Sequence, residues 1–213
     1  EKCPKQAEFK FIKKIKEPGS PAMDRGKDMH KLCEEYIRGN YEEIPSQLKE
    51  FEEAFEVLRD LYIHGHVFCE SDWAVDKNWQ KTGWFEEDTW GRAKVDAFVY
   101  EEGISKEARV IDFKTGRYDG NQETHREQCE LYGAVALSRY PELESIQTEM
   151  WYLDHGKIDR YIYTPQSIKA KQEKLNQRAL AMTTAEEFPA NPSKFKCKWC
   201  YFGKQNMCRE AAA

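Results

Sequence analysis

The stretch that decides the fold is Val110-Ile111-Asp112-Phe113-Lys114-Thr115-Gly116. It runs from an apolar entry through a carboxylate, an aromatic ring and an ammonium to a glycine turn. Side chains of an extended strand alternate between its two faces, so Asp112 and Lys114 share one face and Ile111 and Phe113 the other. The apolar face belongs in a core. The charged face suits a divalent cation held beside an amine that steadies a nucleophilic water or a developing negative charge. Upstream, Gly91 to Tyr100 forms a second strand-like run carrying Asp96, and Glu101-Glu102-Gly103 lies in the connection. The two runs read as a hairpin that brings Asp96 and Asp112 together.

Working outward, amphipathic periodicity predicts helices over 22–38, with Met23, Met29, Leu32, Cys33, Tyr36 and Ile37 inward, and over 45–63. A further helix is predicted from the Pro4 start, where Phe9 with Ile12 and Phe11 with Ile15 give an apolar stripe. Gly26 and His30 share a face of the 22–38 helix, with Glu34 one turn on. A lone helical histidine is structural as a rule, and the neighbouring acid makes this face a His-and-Glu one. Val67 to Val75 reads as a strand carrying Glu70. The segment from Asp76 to Trp90, with Trp79, Trp84, Phe85 and Trp90, reads as a wide hairpin or a loop at the rim of a cleft. Aromatic rings there either cover a small core or stack on unpaired bases. A helix over 123–139 places Gln128 and Tyr132 one turn apart. Strands over 146–153 and 160–163 and a helix over 166–183 follow, and the tail reads as loop-rich.

Composition bounds the function. A chain of 213 residues is long enough for one domain with a full core. With 33% charged residues, a mean hydropathy of −0.87 and no apolar run long enough to cross a bilayer, it reads as soluble, and its cysteine usage fits a reducing, cytoplasmic compartment. A net charge of −5 speaks against a protein that coats nucleic acid through bulk charge, and leaves room for a nuclease, whose metal site is acidic. Two local basic patches, Lys10/Lys13/Lys14/Lys16 and Lys194/Lys196/Lys198, can hold phosphates. Seven cysteines exclude a fully paired disulfide framework in a monomer. Cys33, Cys69 and Cys129 fall within helix and strand patterns and read as core thiols.

In order along the chain come a helix with Gly26 and His30, a strand with Glu70, Gly91-x4-Asp96, Ile111-Asp112-Phe113-Lys114-Thr115-Gly116 and Gln128-x3-Tyr132. This order resembles the PD-(D/E)XK nucleases of the RecB-like branch, which includes phage exonucleases and CRISPR-associated RecB-like nucleases. The resemblance covers nearly the whole chain. It implies an α/β, restriction-endonuclease-like fold: a central mixed β-sheet flanked by helices, with a cysteine-stapled C-terminal loop, as a single domain over 1–213. It further implies that His30, Asp96, Asp112 and the Phe113 carbonyl ligate Mg²⁺ or Mn²⁺, with Glu70 a weaker candidate. Lys114 would position or activate water, and Gln128 and Tyr132 would contact the DNA backbone or brace the lysine. The activity implied is exonucleolytic hydrolysis of DNA, acting on linear and possibly single-stranded ends, in recombination, repair or phage DNA processing. A helicase or recombinase partner and a bacterial or phage-infected host cell are in keeping with it. Two alternatives share the residues: an endonuclease with the same site, and an inactive nuclease-fold module that binds DNA or a partner.

Cys3, Cys197, Cys200 and Cys208 stand apart at the two ends of the chain. Three thiols in a short C-terminal segment need a fourth to complete a tetrahedral set, and Cys3 before Pro4 is the candidate. The RecB-like resemblance implies a [4Fe–4S] cluster pinning a terminal region, 1–20 with 190–210. Zinc and unliganded thiols are the alternatives.

Overall fold

The structure is a computed structural model that describes residues 3–211. The chain folds as two compact units, one drawn from residues 3–20 and 177–211, the other being Pro21–Asn176.

In the first unit, α1 (Pro4–Ala7) opens with proline at its first position, where the missing N–H is no loss, and widens into a π-helical turn over Glu8–Ile12. That widening shifts the phase of the predicted stripe. Phe9 is buried and stacks on Phe202 at 5.0 Å, while Phe11 and Ile12 point to solvent. The tail, read as loops, carries two short helices instead (α6, Lys194–Trp199, and α7, Tyr201–Lys204), the first capped by Ser193 Oγ accepting from the Lys196 N–H.

The second unit contains α2 (Pro21–Ile37), a 3₁₀ turn (Ser46–Phe51) leading into α3 (Glu52–Ile63), and the strands β1 (Val67–Val75) and β2 (Lys81–Thr82). Next come β3 (Gly91–Val99), β4 (Glu107–Lys114), α4 (Gln122–Arg139), β5 (Ser145–Tyr152), β6 (Lys157–Tyr163) and the start of α5 (Pro165–Thr183). The six strands form one mixed sheet in the order β2-β1-β3-β4-β5-β6, antiparallel except for β4 with β5, which α4 connects. This is the central mixed sheet flanked by helices that the sequence implies. The helix predicted to begin at Pro45 is 3₁₀ over its first six residues, Ser46–Phe51.

Each face of the sheet has its own core. On one, Val95, Phe98, Val110, Ile146 and Met150 pack with Cys129, Tyr132 and Val135 of α4. On the other, Ala97, Ile111, Phe113 and Trp151 pack with Cys33 and Tyr36 of α2 and Phe55 and Leu58 of α3. Sandwiching between two helical layers explains why β5 is buried along most of its length instead of alternating with solvent. Cys33 and Cys129 are fully buried thiols, and Cys69 is half-buried against the second core. Among the described residues no helix is long and apolar enough to cross a membrane.

Candidate active site

The site begins where two strands part. The β3–β4 ladder consists of Ala97 with Ile111, Phe98 with Val110 and Val99 with Arg109, and stops there. Asp96 occupies the splay. Its Oδ2 accepts the Phe113 N–H at 2.7 Å, so a side chain supplies the bond a strand partner would otherwise give. Its Oδ1 lies 3.0 Å from His30 Nδ1 on α2. The helix runs close to the end of β4 at Gly26, where even a Cβ would make only ordinary van der Waals contact with Thr115 Oγ1, at 3.6 Å. Ile111 and Phe113 enter the core and Asp112 and Lys114 the cleft, as the alternation predicts.

Asp112 is held from α4. Its Oδ1 accepts from the Tyr132 hydroxyl at 2.6 Å and from Gln128 Nε2 at 3.1 Å, and Gln128 Nε2 also donates to the Tyr132 oxygen at 2.6 Å. Its Oδ2 sits against the Lys114 ammonium as an ion pair, yet is buried with no directed hydrogen bond. An oxygen with a nearby cation but no donor aimed at it is a ready ligand for an ion. On β1, Glu70 adopts the left-handed conformation (φ 52°) between the pairs Cys69–Ala97 and Ser71–Val95, and lines the same cleft. A non-glycine residue held there costs about 1–3 kcal/mol, strain typical of functional sites. Glu70 Oε2 pairs with Lys94 at 2.7 Å, and ligand atoms of His30, Glu70 and Asp96 lie within 4.8 Å of one another. Hard oxygens with one imidazole fit Mg²⁺ or Mn²⁺.

The electrostatics follow from burial. Desolvation pushes the Asp96 carboxyl above its ordinary range, opposed by the hydrogen bond from His30 and reinforced by the charge of Asp112. The hydrogen bond to Asp96 in turn raises the His30 imidazole above its usual value. Burial drives the Tyr132 hydroxyl far up, so it stays protonated and can only donate to Asp112.

The structure thus brings together His30, Glu70, Asp96, Asp112, Lys114, Gln128 and Tyr132 around one cleft of about 820 Å³. Cys3, Cys197, Cys200 and Cys208 line a separate cavity of about 240 Å³, entirely within the terminal unit. Sequence reasoning passed over Arg92 and Lys94, which line the active-site cleft and alternate with Asp96 along β3, a period-two signal that was available. It also passed over the Arg25–Asp154 pair. Asp154 accepts from Arg25 at 2.8 and 2.5 Å and from the Gly116 N–H at 2.6 Å, tying α2 to the turn that follows Lys114. Residues 129 positions apart leave no local pattern.

A mixed sheet splayed at two aspartates, with a lysine two residues past the second and a histidine helix facing it, defines the restriction-endonuclease-like class of α/β folds. The chain belongs to the PD-(D/E)XK nuclease superfamily, which it matches over residues 1–209. Two solved structures share the fold. One is the crystal structure of SSO0001, 16% identical with a TM-score of 0.56, the match covering 99% of this chain and 83% of that one. The other is a protein of Eubacterium rectale provisionally named an exonuclease, 14% identical with a TM-score of 0.53, covering 99% and 84%. At these identities the likeness speaks for the fold alone. No curated protein matches the chain in sequence.

Proposed function

We propose that this nuclease is a divalent-metal-dependent DNA exonuclease of the RecB-like branch, acting in recombination, repair or phage DNA processing in the cytoplasm. The observation that carries the reading is the convergence of His30, Glu70, Asp96, Asp112 and Lys114 on one cleft. In this reading His30, Asp96, Asp112 and the Phe113 carbonyl hold Mg²⁺ or Mn²⁺, with Glu70 beside them. When bound, the ion supplies Lewis-acid polarisation of a phosphodiester and acidifies a water. The chain's own residues do the rest. Lys114, mostly buried, orients the attacking water and offsets charge that builds on the phosphate oxygens. Tyr132 and Gln128 fix the Asp112 carboxylate through one oxygen, leaving the other for the cleft.

Two observations support a polyanionic substrate. Segments 1–20 and 177–213 carry twelve Lys and Arg against six Asp and Glu, although the whole chain is acidic. A cleft of about 640 Å³ in the terminal unit is lined by Lys194, Lys198, Lys204 and Arg209 and by no acid. The name of the Eubacterium rectale protein agrees with the exonuclease assignment.

The four cysteines line one cavity, and four thiolates there suit a [4Fe–4S] cluster, with a single zinc ion as the alternative. In this reading the cluster staples the terminal unit.

The test is digestion of end-labelled linear DNA and of closed circular DNA with Mn²⁺, Mg²⁺ or EDTA. Metal-dependent loss of the linear substrate alone is expected, abolished by Lys114→Ala and Asp112→Asn. Cutting of the circle would turn the reading to an endonuclease, and undiminished cleavage by those variants would remove it. Iron and sulfide analysis of anaerobically purified protein, wild type against Cys200→Ser, reports the cluster.

A further inference from the structure

We infer that Trp84, Phe85 and Arg92 form a base-stacking rim that admits unpaired DNA bases to the metal cleft, making single-stranded or frayed ends the substrate. This deepens the nuclease reading and rests on it. The rim is the loop between β2 and β3, and the loop is braced. Thr82 Oγ1 donates to Asp88 at 2.6 Å, Thr89 Oγ1 to the Gly83 carbonyl at 2.9 Å, and Trp90 Nε1 to Asn176 at 3.0 Å. Trp79, one of the other aromatics of this segment, is buried in the core, but Phe85 is 87% exposed. A ring held in solvent on a braced loop is not covering a core.

Arg92 links the rim to the chemistry. Its guanidinium carbon stands 5.5 Å from the Trp84 ring centre and 5.7 Å from that of Phe85. The same residue lines the cleft with Lys94, Asp96, Asp112 and Lys114. Among the described residues no carboxylate lies within ion-pair distance of Arg92, so aromatic faces hold its charge and leave it for a phosphate. Two rings against an unneutralised cation that itself lines the candidate metal cleft match one ligand chemistry: a flat base with its phosphate. Bases in a duplex have their faces stacked inward and cannot use such a platform. Arg92 and Asp96 are four residues apart along β3, roughly 13 Å at ~3.3 Å per residue.

The experiment is fluorescence anisotropy of the full chain in EDTA with three ligands: an unstructured single strand, the same strand carrying a short abasic run, and a duplex. Wild type is expected to bind the base-bearing strand about tenfold more tightly than the abasic one, in line with base–aromatic stacking. Phe85→Ala should weaken binding of the base-bearing strand about tenfold and leave the abasic strand unchanged. Phe85→Trp, which keeps a ring, should restore the preference. Because Phe85 is exposed, the alanine variant should unfold like wild type. Equal weakening on both strands, or no change on either, overturns the rim while metal- and Lys114-dependent cleavage keeps the nuclease reading intact. Tight duplex binding that is indifferent to Phe85→Ala also overturns it. Absence of both binding and cleavage on every DNA would bring down the nuclease reading itself.

Discussion

Tyr132→Phe removes one oxygen, and the structure says what that oxygen does. It donates to Asp112 Oδ1 at 2.6 Å and accepts from Gln128 at 2.6 Å, leaving the variant with only the 3.1 Å bond from Gln128 to Asp112. A bond from a buried hydroxyl to a carboxylate contributes about 1.5–3 kcal/mol. The phenylalanine ring escapes part of the hydroxyl's desolvation, so the net loss in metal-free protein should be about 1–2 kcal/mol. For a chain of this size that corresponds to a fall of about 2–8 °C in Tm. The larger effect should be on metal affinity: a partner that orients a ligating carboxylate is typically worth about 10–100-fold. Urea unfolding in EDTA, Mn²⁺ titration, and a double-mutant cycle with Asp112→Asn measure these. A coupling of about 1 kcal/mol or more between the two positions is expected. A stability change below about 0.3 kcal/mol with no coupling and unaltered Mn²⁺ affinity would refute the idea that Tyr132 orients Asp112.

Two further outcomes follow from the same site. Both His30 and Asp96 have folded-state values raised above their ordinary ones, so the metal-free native state holds extra protons and its stability falls as pH rises. For His30 that contribution is full below the ordinary value of 6.5 and is lost as pH climbs through the raised one; Tm against pH in EDTA should show the slope, and His30→Gln should flatten it. Mn²⁺ affinity should rise over the same window, because the ion displaces that proton. Gly116 has a φ of +86°, accepts at its carbonyl from His155 and donates its N–H to Asp154, so Gly116→Ala should cost about 1–2 kcal/mol in thermal unfolding and lower kcat by loosening the turn after Lys114.

How much was legible beforehand depended on distance along the chain. The alternation in Ile111-Asp112-Phe113-Lys114 placed two side chains in the core and two in the cleft, because a strand's period of two is a local rule. The hairpin between β3 and β4 was equally local, and so were Gln128 and Tyr132, one helical turn apart. The terminal stripe failed because a π turn changes the helical phase by backbone geometry that the apolar pattern does not encode. Glu70 was ambiguous in sequence because a strand offers it either face; its left-handed backbone turns it into the cleft.

By itself, then, the sequence determined most of the helices and strands, which rest on periodicity within one element, and the order of its motifs, through their resemblance to a nuclease family, implied the candidate-site residues and the α/β class. Only the tertiary structure decided that β3 and β4 part at Asp96, that Asp154 ties Arg25 to Gly116, and that one arginine of the cleft lies against the rings of Trp84 and Phe85. Those are relations between segments far apart in the chain. They arise from how two cores pack on opposite faces of one sheet, and local residue preferences carry no record of that packing.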